Sequence, residues 1–125
     1  MPGERPVLME APREAGPGLR VAVLNCFEDT LPGVTRPVMR ELPRVPNLLV
    51  NVTNDAWFSG TRESELHLRL AVLRAIEARR DLVRAVNLGV TSWVDASAFA
   101  LSRASPDVVV TSPAVSAAPS AFAAG

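Results

Sequence analysis

The stretch Leu19-Arg20-Val21-Ala22-Val23-Leu24-Asn25-Cys26-Phe27-Glu28-Asp29 decides how the chain is read. Five of the first seven residues are apolar and the run is rich in valine. Its length suits a strand buried on both faces of a parallel sheet better than a helix. The run stops at the chain's single cysteine, immediately before two carboxylates. A reactive side chain at the end of a buried strand is the arrangement of a nucleophile turn, which lifts that side chain above the sheet edge. Position alone leaves a second reading open, since free cysteines are among the most buried residues and pack as small hydrophobes.

Composition narrows the chemistry. The 125 residues are 48% apolar, enough for one core, with 13 basic and 13 acidic residues and a formal net charge of zero. No electrostatic footprint for nucleic acid is present. All the basic residues are arginines, so no lysine amine is available for Schiff-base or lysine-assisted catalysis. One cysteine forms no internal disulfide and is too few for a thiolate metal site, so neither a metal nor another cofactor is expected. Apolar runs fall far short of the roughly 20 residues needed to cross a bilayer. The acids, prolines and glycines of residues 1–18 do not form an export signal.

Working outward, the breakers in residues 1–19 leave room for a short strand near residues 6–10. Residues 36–42 are expected to form two helical turns with Pro37 at the first helical position, and 48–53 a second buried strand. A loop around Trp57 and Phe58 precedes the most secure helix, residues 62–79, with Thr61 as its N-cap and Leu66, Leu70, Leu73 and Glu77 on one buried stripe. Residues 82–86 and 90–94 are β-prone and separated by a turn in which Gly89 takes a positive φ. From residue 98 the Ala/Ser/Pro-rich sequence is expected to be a low-complexity, disordered tail, leaving 1–97 as the domain. The order of elements implies an α/β layer with helices over a sheet and one sheet face left open.

Several side chains invite a functional reading beside a plain one. His67 is the only histidine, either a partner for the thiol or a solvated or capping group. Glu28 and Asp29 oppose ionisation of a neighbouring thiol, or cap the following turn. Trp57 and Phe58 line a pocket at the strand ends or seal the core.

Four segments in register sharpen this picture: Val-Leu-Asn-Cys26-Phe-Glu28, Asn51-Val-Thr-Asn54-Asp55-Ala-Trp57-Phe58, Arg74-Ala-Ile-Glu77 and Val83-Arg84-Ala-Val-Asn87-Leu-Gly89. Together they resemble the nitrilase, or carbon-nitrogen hydrolase, superfamily, and within it the apolipoprotein N-acyltransferase family. The resemblance implies part of an αββα sandwich, a half-layer of sheet plus helices, from the C-terminal part of the catalytic domain. That family uses a Glu-Lys-Cys triad to move an acyl chain from a phospholipid donor, through a Cys thioester, to the N-terminal amine of a lipoprotein acceptor. Its catalytic domain is periplasmic and anchored to the bacterial inner membrane. Only the cysteine maps here, onto Cys26, with Glu28, Asn54, Trp57 and Phe58 in supporting positions. Ser59, Asp81 and Ala98 depart from the family pattern, and the divergent end suggests a truncated or frameshifted gene product. A soluble amidase or nitrilase fragment, or a non-catalytic remnant that self-associates through its open sheet face, are the competing readings.

With Cys26 present but its Glu and Lys mapping nowhere in the sequence, the purified chain is expected to hydrolyse neither phospholipid esters nor small amides above background. Loss of a base typically costs about 10²–10⁴-fold and loss of an oxyanion donor about 10²–10³-fold. Turnover that disappears in Cys26→Ser would contradict this expectation.

Overall fold

The computed structural model describes residues 6–58, 60–97 and 101–103. Six strands run in the order β1 (Leu8–Ala11), β2 (Leu19–Asn25), β3 (Leu48–Asn54), β4 (Asp81–Asn87), β5 (Ser92–Val94) and β6 (Leu101–Arg103), forming one sheet in sequence order. The three central strands are parallel and the outer pairings antiparallel. Helices α1 (Pro32–Glu41) and α2 (Glu63–Ala78) make the two crossovers, as parallel neighbours require. Short 3₁₀ turns at Cys26–Thr30 and Ala56–Phe58 follow β2 and β3.

Alternation along the strands sorts side chains between the two faces. Ala22, Leu24, Leu49, Leu82 and Val94 face the helices and pack with Val38 of α1, Leu42 just beyond its end, and Leu68, Ala71 and Ala75 of α2. The other face carries a smaller cluster of Leu48 and Trp93 with Leu19, Val21, Val50 and Val83 around it, and no helix covers it among the described residues. This is the expected α/β half-layer with one bare face.

Several details differ from the sequence reading. α1 begins earlier, with Pro32 rather than Pro37 at its first position, because the Leu31 carbonyl accepts the Val34 and Thr35 N–H groups and starts the helix there. Pro37 sits inside it. Arg62, not Thr61, is the N-cap of α2, although the Thr61 hydroxyl still accepts the Glu63 N–H at 3.2 Å. The stripe that α2 buries is His67, Leu68, Ala71, Arg74 and Ala75, whereas Leu66, Leu70 and Leu73 are exposed. Apolar side chains are almost evenly divided around this helix, so the choice falls to other forces. Small Ala71 and Ala75 let the helix approach the sheet, and His67 finds charged partners inside.

At the β4–β5 turn, Leu88 rather than Gly89 has the positive φ, +53°. Gly89 is required by close approach: a Cβ there would collide with Val86, the Ser64 hydroxyl and Asp55. Within the stretch 98–125 read as a tail, residues 101–103 pair with β5 as β6; the remainder lies outside the described residues.

Asp81 has a structural task at the start of β4: its Oδ1 accepts the Ala96 N–H at 2.9 Å and ties the segment after β5 to the sheet. Burial raises this carboxyl above its ordinary value, the Ala96 bond opposes that, and the charge of Asp95 adds to it. A raised folded-state value means the native protein binds the proton more readily than the unfolded chain, so this group's contribution falls as pH rises from the unfolded value through the folded one. Asp81→Asn keeps an acceptor for Ala96 and removes the charge. The variant is expected to gain stability relative to wild type at neutral pH and to lose that advantage below the ordinary carboxylate range, as read by urea unfolding at pH 7 and pH 3.5.

Candidate functional site

Cys26 stands at the C-terminal end of β2 and adopts φ +51°. A non-glycine residue in the left-handed region is strained, and such residues persist where the surroundings hold them and concentrate at functional turns. The holding groups can be named. The Glu28 carboxylate accepts the Asn25 N–H at 2.7 Å, closing the first turn after the strand. From β3, buried Asn51 donates its amide to the Cys26 carbonyl at 2.8 Å and to the Leu24 carbonyl at 3.3 Å.

Parallel pairing brings the next loop alongside. Asn25 registers with Val52, so the Asn54–Phe58 segment leaves β3 beside the Cys26 turn. A cleft of about 460 Å³ opens between them, lined by Asn25, Cys26, Phe27, Val52, Thr53, Asn54, Trp57 and Phe58. Asn54 shapes the loop, its Oδ1 accepting the Ala56 N–H at 3.1 Å and the Asn87 side-chain amide at 3.4 Å. Phe58 meets Phe27 edge-on, with centroids 5.8 Å apart. Trp57 is 86% exposed at the rim, which excludes the core-sealing role that statistics favour for a tryptophan. Glu28 lies on the turn and does not line the cleft.

Beneath the turn lies a buried charged cluster. Arg84 of β4 is fully buried, with Nε 3.3 Å from Asp29 Oδ2 and Nη2 3.8 Å from Asp55 Oδ2. Its Nε also donates to Asn51 Oδ1 at 3.4 Å. Burial pulls the guanidinium below its ordinary value, while Asp29, Asp55 and Cys26 pull it back in that order. An arginine remains charged through such opposition. His67 of α2 bridges the same two carboxylates, Nε2 to Asp29 Oδ1 at 2.7 Å and Nδ1 to Asp55 Oδ1 at 3.2 Å. Asp55 takes further bonds from the Thr53 and Ser64 hydroxyls.

His67 is therefore neither solvated nor capping, as its position beside Leu66 suggested, and both ring nitrogens are occupied away from the thiol. Asp29 is likewise an internal ion partner rather than a cap. Sequence reading missed Asn51, Asp55 and Arg84 as members of the site. A signal existed: each interrupts or closes an otherwise apolar run, and Leu24, Asn51 and Arg84 are register partners across β2, β3 and β4. Among the described residues no cluster of His, Cys, Asp and Glu has a metal-binding arrangement.

No family profile matches the chain. Its fold is that of a nitrilase-superfamily amidase. The amidase from Nesterenkonia sp. superimposes with a TM-score of 0.56 over 78% of this chain and 36% of that one, at 19% identity. A second structure of the Nesterenkonia AN1 amidase, described as from the nitrilase superfamily, gives 0.58 over 83% and 39%, at 18% identity. In sequence the chain is similar to apolipoprotein N-acyltransferases. It is 45% identical over 76 residues to that of Geobacter metallireducens, covering 61% of this chain and 14% of the relative. It is 41% identical over 88 residues to that of Caulobacter vibrioides, covering 69% and 15%. The chain thus matches about one seventh of the length of these relatives.

Removing one member of a buried charge set leaves its partners uncompensated, typically costing about 3–5 kcal/mol. Arg84→Leu strands Asp29 and Asp55 together and is expected to destabilise the fold by about that amount, measured by denaturant unfolding at neutral pH. A loss below about 1 kcal/mol would show that the cluster is not charged as described.

Proposed function

We propose that Cys26 is the acyl-accepting nucleophile of an apolipoprotein N-acyltransferase site, of which this chain supplies the C-terminal portion. The observation that carries the reading is a cysteine held in a left-handed turn at the end of a parallel strand, facing a cleft walled by Phe27, Val52 and Phe58. Such a wall suits an acyl chain better than a small polar amide.

In the proposed reaction the Cys26 sulfur attacks the ester carbonyl of a phospholipid. The S–C bond forms, the C–O bond to the lysophospholipid breaks, and a proton passes to the leaving oxygen. The N-terminal amine of a lipoprotein then attacks the thioester, forming the amide and returning the thiol. The family's Glu serves as base and its Lys supports the oxyanion; neither maps to a residue of this chain, so both come from elsewhere in the complete site. Glu28 and Asn54 set the shapes of the two loops, and Trp57 and Phe58 receive the acyl chain. Among the described residues no helix is long and apolar enough to cross a membrane, so in this reading anchoring to the periplasmic face of the inner membrane comes from other parts of the enzyme. The bare sheet face carrying Val21, Val50, Val83 and Trp93 is where the second sheet of the sandwich packs.

A chimera tests the reading directly. Replacing the matching segment of the Geobacter metallireducens enzyme with residues 19–97 of this chain is expected to preserve a hydroxylamine-labile acyl adduct on Cys26 when phospholipid is supplied. Cys26→Ser should abolish that adduct. A folded chimera that forms none would reject the proposal.

A further inference from the structure

The proposed reaction leaves the buried histidine unused. His67 presents both ring nitrogens to carboxylate oxygens, 2.7 Å from Asp29 and 3.2 Å from Asp55. A neutral imidazole donates from one nitrogen and carries a lone pair on the other, and a lone pair aimed at a carboxylate is repulsive. Both contacts are attractive when the ring carries two protons. Charge balance agrees: two buried carboxylates face one buried guanidinium, and a positive ring between them makes the set neutral. The groups in contact with the ring or with its partners are Asp29 of the Cys26 turn, Asp55 and Thr53 at the end of β3, Ser64 of α2 and Arg84 of β4. Phe27 stacks on the ring at 4.6 Å and 8°, a geometry that a cationic ring strengthens.

The two carboxylates belong to different loops. Asp29 lies three residues beyond the nucleophile, and Asp55 immediately precedes the turn that carries Trp57 and Phe58. We propose that His67 is a positioning residue for Cys26: a doubly protonated imidazole clamped between Asp29 and Asp55 that fixes the nucleophile turn against the aromatic wall of the cleft. What this positioning serves rests on the acyl-transfer reading; the clamp itself does not.

The chain contains one histidine, so its ring signals are unambiguous in a sample labelled with ¹⁵N-histidine. The full chain at neutral pH is expected to show two protonated ring nitrogens, each coupled to its own proton. In His67→Gln, backbone couplings and chemical shifts are expected to show loss of the left-handed conformation at Cys26 while the sheet contacts of β2, β3 and β4 persist. A wild-type ring with one bare nitrogen overturns the inference, as does a folded His67→Gln that keeps Cys26 left-handed and Phe27 against Phe58. Should His67→Gln fail to fold, Asp29→Asn makes the same comparison with the ring in place: loss of one ring proton is expected, and an unchanged ring spectrum overturns the clamp. If neither variant folds, the wild-type spectrum decides. None of these readouts requires an acyl donor. Failure of the chimera to acylate therefore rejects the catalytic reading and leaves the clamp standing, and the reverse result is equally distinct.

Discussion

The structure depends on one buried cation. Arg84 sits in the middle of β4 with no exposure to solvent, and Asp29 and Asp55 converge on it from the turns that follow β2 and β3. Burying an isolated charge is prohibitively costly, so none of these three groups is tolerable without the others. Their mutual dependence determines which helix face goes inward, because His67 must reach both carboxylates. It also determines where the Cys26 turn rests. Hydrophobic contacts of Leu24, Leu49, Leu68 and Leu82 supply the bulk of the driving force around this centre, but they do not single out a register as sharply as a charged set does.

Register converts that centre into a site. Leu24, Asn51 and Arg84 lie side by side across three parallel strands, and the polar members form a short relay. Arg84 Nε donates to the side-chain Oδ1 of Asn51, and the Asn51 side-chain NH2 donates to the Cys26 backbone carbonyl. Slipping β3 by one residue would turn Asn51 to the opposite face and release the Cys26 turn. The strain at Cys26 is thus maintained by Asn51 from the neighbouring strand and Glu28 of the turn itself, and not by glycine, which elsewhere relieves such turns. Gly89 serves a different end, allowing the β4–β5 turn to press against Ser64 and Asp55 and so close the cluster from the far side.

Much of the fold was legible because it follows from local pattern. β2 has the expected bounds, and β3 and α2 lie within a residue or so of theirs, since apolar runs of strand length and a long helix bounded by charges leave few alternatives. The nucleophile candidate and the two loops at the strand ends followed from the same reading and from the family resemblance. What escaped was decided by tertiary contact. The buried face of α2 could not be read from side-chain size, since Leu66, Leu70 and Leu73 look as apolar as the Leu68, Ala71 and Ala75 that went inside. His67 and Asp29 looked like surface groups because burial of a charge is intelligible only when its partners, dozens of residues away, are known to be adjacent. Asn51 and Arg84 were visible as polar interruptions of apolar strands, and the expectation of continuous hydrophobicity in parallel sheets hid their meaning.

The spacing of the charged set along the chain has a consequence for biosynthesis. Asp29 and Asp55 leave the ribosome well before Arg84, and domains form as units once their parts are available. Until β4 emerges, the two carboxylates have no guanidinium to enter the interior with, so the Cys26 turn remains hydrated and loosely held. The Cys26 turn is consequently fastened late in translation, after both crossover helices exist to cover it. A nascent chain arrested before residue 84 carries the thiol without the geometry that presents it.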